Sequence, residues 1–239
     1  MGETIESLIS QQPATLGAQL LEAGFDASQE WLALEQALAN DSLNVLTELF
    51  RDHRDSHFDC WAHFPADDAR DPVSGARFYY HAHDPADWSL QEHGHFHLFI
   101  PNPRDPENPD DFCHIGAVSM SNQGVVDSLF MTNQWVTAES WVPAAELVAV
   151  LPAAFTVERA RPSYLVSRWL TSLVTLCALH LAQLLEQRDQ AVINAAGDGV
   201  DPAILSDQDR HILARMPVDI QAIAEAWQQG HQRFFKQQA

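Results

Sequence analysis

The sequence predicts an α+β protein, with a central, mainly antiparallel sheet over about residues 76–137 between N-terminal and C-terminal helices. Three observations carry that reading. Apolar residues recur at helical spacing before residue 54 and after residue 141. Between them, four short runs alternate side chains of two kinds, as a strand with one buried face does. Those runs follow one another through turns and loops with no helix between, which favours antiparallel pairing. The 239 residues read as a single domain in three parts: 1–54 helical, 55–140 a histidine-rich β core, and 141–239 helical.

Within residues 3–54, Ser28 or Asp26 is placed to cap a helix carrying Trp31, Leu32, Leu34 and Leu38. Asp41 and Ser42 begin a second, with Leu43, Leu46, Leu49 and Phe50. Pro13 and Gly24-Phe25 punctuate the segment. Residues 55–75 are polar, contain Pro65, Pro72 and Gly75, and read as a connection into the sheet. His57, Asp59, Cys60 and His63 in it can ligate metal, but their irregular spacing reads first as a loop.

The first two strands lie in Arg77–Ile100, where five histidines fall on even spacing: His81, His83, His93, His95 and His97. In a strand, residues two apart share a face. Arg77, Tyr79, His81 and His83 therefore stand together, opposite Phe78, Tyr80 and Ala82. A hairpin closed about Trp88 sets His83 against His93, His81 against His95 and Tyr79 against His97. The proline-rich Pro101–Asp111 stretch is a surface loop. A third strand, FCHIGAVSMS, and a fourth, VVDSLFMTNQWVT, follow, joined at Asn122-Gln123-Gly124.

After Pro143 the chain returns to helix. AAELVAVL is short, and Leu165–Leu185 is apolar nearly all round, so it reads as one core helix against the sheet. Arg168, Thr171, Ser172, Thr175, His180 and Gln183 interrupt it and argue against a membrane span. Two last helices hold Ile204, Leu205, Ile212 and Leu213, then Ile220, Ile223, Ala224 and Trp227.

Imidazoles converging from one strand face suit a transition metal: zinc, iron, manganese or copper. The expected ligands are His81, His83, His93 and His95, three of them binding the ion and the fourth supporting. His97 is expected at the rim as acid or base. Tyr79 is placed to hydrogen-bond a ligand, and Arg77 to hold a carboxylate. His114 on the third strand is a further donor. Cys113 and His114 are adjacent in a strand, so they point to opposite faces and form no nucleophilic dyad.

Gly75, His81, His83, Asp87 and Gly94 stand at the intervals of the first cupin motif, with Asp in place of Glu. The resemblance implies a small β-barrel with a His/carboxylate metal centre. Pro109 and His114 keep the spacing of the second motif, but Pro103, Asp111 and Val118 replace its other residues. More closely, Tyr79–His83 and Glu92–Phe99, preceded by Trp61, His63, Pro65 and Asp71, resemble a bacterial family sharing a YYHAH…EHGHFHLF core. That resemblance implies no particular activity.

Charge narrows the partners. Asp plus Glu number 33 against 13 Lys plus Arg, a formal −20, which disfavours nucleic acid and anionic membrane and favours cations. Three cysteines, odd in number, read as reduced thiols, and MGETIESLIS lacks the pattern of a signal peptide, so a cytoplasmic protein is expected. The leading expectation is a metal-dependent enzyme acting on a small-molecule substrate. The alternatives are a non-catalytic metal-binding or metal-sensing protein, and a scaffold whose histidine face docks a partner.

Overall fold

The structure, a computed structural model, describes residues 14–53, 62–83, 92–194, 197 and 199–236. His57, Asp59, Cys60, Trp61, Asp87 and Trp88 lie outside the described residues, as does Pro13.

Six strands form one sheet in sequence order, every neighbouring pair antiparallel: β1 (Phe64–Arg70), β2 (Arg77–Ala82), β3 (Glu92–Pro101), β4 (Phe112–Ser121), β5 (Val126–Thr132) and β6 (Ile212–Pro217). Helices α1 (Ala14–Asn40) and α2 (Val45–Leu49) precede the sheet. Between β5 and β6 come α3 (Gln134–Thr137), α4 (Ala144–Val150), α5 (Tyr164–Leu176), α6 (Ala178–Ala191) and α7 (Pro202–Leu205); α8 (Ile220–Lys236) closes the described chain. The α+β class and the antiparallel sheet are as expected. The sheet is open, with β1 and β6 as edges, and not the small barrel that the cupin resemblance implies.

One face of the sheet carries Phe78, Tyr80, Phe96, Leu98, Ile100, Val118, Met120, Leu129 and Met131, all buried in the hydrophobic core. Helices cover that face, with α6 against β4, β5 and β6, α1 against α5 and α8, and α5 between α1 and α8. Burying each such side chain contributes on the order of 1.5–3 kcal/mol, which is why these strands alternate. Gly24 shows how tightly the helices meet: a Cβ there would lie 2.3 Å from the Trp227 ring.

Four expectations need correction. The 55–75 connection contains an edge strand, β1, although FPADDAR does not alternate. Edge position tolerates Pro65, and Phe64 and Ala69 pair with Tyr80 and Phe78 so that four residues bulge out opposite Tyr79 alone. Ile212–Pro217, expected to be helical, is the other edge strand, since β5 offers an unpaired side that six residues can satisfy. The Leu165–Leu185 run is two helices bent by 72° at Cys177. Trp227 donates its indole N–H to the Leu176 carbonyl at 2.9 Å, accounting for an acceptor that the broken helix leaves over. In the N-terminal part, α1 runs through Gly24 and Ser28 without a break, and Ser28 Oγ donates back to the Phe25 carbonyl at 2.6 Å. The next helix is capped by Asn44, not Asp41 or Ser42.

No single helix among the described residues is long and apolar enough to cross a membrane; α5 and α6 together have the length and composition, but they are bent by 72°.

Candidate metal site

The hairpin register places Tyr79 against His97 and His81 against His95, as the spacing predicts, and the His83 N–H donates to the His93 carbonyl at 3.0 Å. His81, His83 and His95 form the group that the sheet brings together. One ligand nitrogen from each lies within 4.8 Å of the others. The His81 and His95 rings are 4.2 Å apart and the His83 and His95 rings 4.8 Å, both edge-on. Two nitrogens bound to one ion at about 2.1 Å stand at most about 4.2 Å apart, a separation close to the spread of these three.

His93 is not in the group. Glu92 pairs with Ser121 and Gly94 with Met120, so β3 carries one extra residue at His93. This bulge breaks the two-residue parity. His93 turns to the helical side, where its Nδ1 lies 2.7 Å from the Tyr80 hydroxyl and its ring nears Phe50. Gly94 is required there: a Cβ would lie 2.2 Å from the His81 carbonyl oxygen.

The same bulge brings Glu92 onto the histidine face, which strand alternation would not predict. Glu92 Oε1 accepts from His95 Nδ1 at 2.8 Å, and Glu92 Oε2 accepts from Arg215 of β6 at 2.7 Å. Burial alone would raise the Glu92 carboxyl, but its bonds to His95 and Arg215 outweigh that and hold it at about 2. It is therefore an anion at neutral pH. A carboxylate that orients an imidazole through Nδ1–H leaves Nε2 as the ligand nitrogen, the arrangement common around protein-bound metals.

His97 is not at a rim. It is fully buried in a chain of imidazoles, with Nε2 3.0 Å from His95 Nε2 and Nδ1 3.1 Å from His114 Nε2. His114 Nδ1 lies 3.3 Å from the Thr132 hydroxyl. Burial pushes His81 down to about 2 and His114 to about 3, and holds His97 well below the ordinary histidine range. These rings are neutral, so each carries one N–H. Ionised Glu92 assigns that of His95 to Nδ1. The bare His95 Nε2 then accepts from His97 Nε2–H, the bare His97 Nδ1 accepts from His114 Nε2–H, and Thr132 donates to His114 Nδ1. One carboxylate thereby orders three tautomers. Behind the chain, burial raises Glu139 to about 8, and its carboxyl accepts the backbone N–H of His114.

Tyr79 is buried beside His97, at 4.9 Å between rings, and stacks on His63 at 3.6 Å; burial raises its phenol. Arg77 donates to the Pro109 carbonyl at 2.6 Å and lies 4.3 Å over Phe112. It holds the Pro101–Asp111 loop and stands apart from the triad. Sequence reasoning missed Glu92, Arg215 and the partnership of His63 with Asp68; all three depend on bulges or on strand β6.

Neither the curated proteins nor the solved structures contain a match to this chain. A family model described as a domain of unknown function, DUF6969, matches residues 25–218, which include all six strands, the histidine triad and Glu92. With four-fifths of its length matched, the chain belongs to the DUF6969 family.

Proposed function

We propose that this protein is a metal-dependent enzyme acting on a small molecule, with His81, His83 and His95 as the ligands of a transition ion. The observation that supports it most is the pairing of a three-imidazole cluster with a buried carboxylate on the far nitrogen of one member, His95. Three protein ligands leave a coordination position for water or substrate, where a metal supplies Lewis-acid polarisation or lowers the pKa of bound water. Glu92 orients His95, and His97 backs it. Binding at His95 Nε2 displaces the hydrogen bond from buried His97, a loss of about 1–3 kcal/mol that a coordination bond far exceeds.

The test is elemental analysis of protein purified without a nickel column, followed by calorimetric titration of chelator-treated protein with zinc, manganese, copper and ferrous iron. One ion per chain is expected, with affinity lost when His81, His83 or His95 becomes Ala. Protein without metal that shows no heat and no thermal shift with any of the four ions overturns the proposal.

A further inference from the structure

We propose that His63, oriented by Asp68, is a proton-transfer group that serves a substrate cleft along edge strand β1. The proposal goes beyond the metal reading and stands apart from it, since no histidine of the triad lines this cleft. Four observations converge. His63 Nδ1 lies 2.9 Å from Asp68 Oδ1, so a hydrogen bond to the carboxylate places the proton on Nδ1 and leaves Nε2 as the reactive nitrogen. The His63 ring is stacked parallel on Tyr79, 3.6 Å away at 8°, which orients its plane and joins it to the strand that carries His81. Both His63 and Asp68 line a cleft of 610 Å³, with Leu49, Phe64, Arg159 and Arg161 among its walls. The residue that orients His63 comes from the β1 bulge, where Asp68 takes φ +50°, a left-handed conformation that most side chains avoid.

This is a histidine built like a general base and held by its own carboxylate, 44% exposed at a cavity of substrate size. Arg159 and Arg161 have no ion pair or side-chain hydrogen bond among the described residues, so they are available to an anionic part of a ligand. The chemistry fits hydrolysis of a small ester. Water attacks the acyl carbon while His63 Nε2 takes its proton and Asp68 balances the imidazolium. The carbon–oxygen bond then breaks, the alkoxide or phenolate leaves, and the proton passes from Nε2 to the leaving group or solvent. Asp68 is a positioning residue; His63 meets the reactants.

Two probes test this on the full chain, with and without one equivalent of zinc. The first is carbethoxylation by diethyl pyrocarbonate at pH 8, followed by mass spectrometry. His63 should react at least about tenfold faster than His211 or His231, and D68N should abolish that advantage with the melting temperature unchanged. Asn is chosen because it tolerates a left-handed residue. The second is hydrolysis of 4-nitrophenyl acetate, which H63Q should slow at least about tenfold with zinc stoichiometry intact. Equal labelling of the three histidines, or unchanged turnover in H63Q, overturns the proposal. Rates that need His63 and ignore zinc uphold the pair and count against the metal centre alone.

Discussion

Acidification from pH 6.5 to 5 should markedly weaken the metal-free fold. His81, His97 and His114 are held neutral in the fold, whereas in the unfolded chain each titrates near the ordinary value of about 6.5. A folded-state pKa that is depressed means stability is complete above the unfolded pKa and is lost as pH falls toward the folded one. For one such histidine the loss between pH 6.5 and 5 is on the order of 2 kcal/mol, so three lose on the order of 5 kcal/mol. Glu139 acts in the opposite sense. Its carboxyl titrates at about 8 in the fold, so the native state holds a proton that the unfolded chain releases above about 4.5. That returns roughly 2 kcal/mol over the same interval, leaving a net loss of about 3 kcal/mol against a typical total of 5–15 kcal/mol. The assay is urea denaturation followed by the fluorescence of the seven tryptophans, in chelator, at steps from pH 7 to 5. E139Q, which keeps an oxygen to accept the His114 N–H, should steepen the loss to about 5 kcal/mol. A stability that changes by less than about 1 kcal/mol across the interval, or an E139Q profile equal to the parent's, would refute the burial argument.

Three other outcomes are expected. E92Q should weaken metal binding about 10–100-fold, or roughly 1.4–2.7 kcal/mol, because the amide no longer holds His95 as an anion does; unchanged affinity by calorimetry would remove Glu92 from the site. H93A should leave metal affinity unaltered while lowering stability by about 1–3 kcal/mol, since the buried Tyr80 hydroxyl loses its partner. A loss of metal in H93A to match that of H95A would mean that the bulge is misplaced. Leu173 is fully buried in α5, so L173D should cost at least about 4 kcal/mol in a thermal or urea melt, and a variant that melts like its parent would contradict the core assignment.

What could be read from the sequence was what depends on period. The pairing of His81 with His95 and of Tyr79 with His97 follows from even spacing about a turn, and the apolar face from alternation with Phe78, Tyr80, Phe96 and Leu98. What could not be read depends on single irregularities and on distant contacts. An extra residue at His93 has no marker except the neighbouring Gly94, yet it turns His93 toward Tyr80 and brings Glu92 onto the histidine face beside His95. The break at Cys177 involves no Pro or Gly; its freed carbonyl is met by Trp227, fifty-one residues on. Both missed strands are edges, β1 with Pro65 and a bulge, β6 only six residues long with Ile212 exposed. Edges need only one face and one partner, so their sequences carry a weaker signature.

X-ray absorption spectroscopy of the metal-loaded protein tests the central claim most directly, because it counts imidazoles without needing a substrate. The account predicts one ion per chain with three imidazole nitrogens at about 2.0–2.1 Å and an additional light-atom ligand in the open position. It also predicts that the imidazole signal is lost in the H81A/H83A/H95A variant and kept in H93A. A first shell with fewer than two imidazoles, or the same shell in the triple variant, would contradict it.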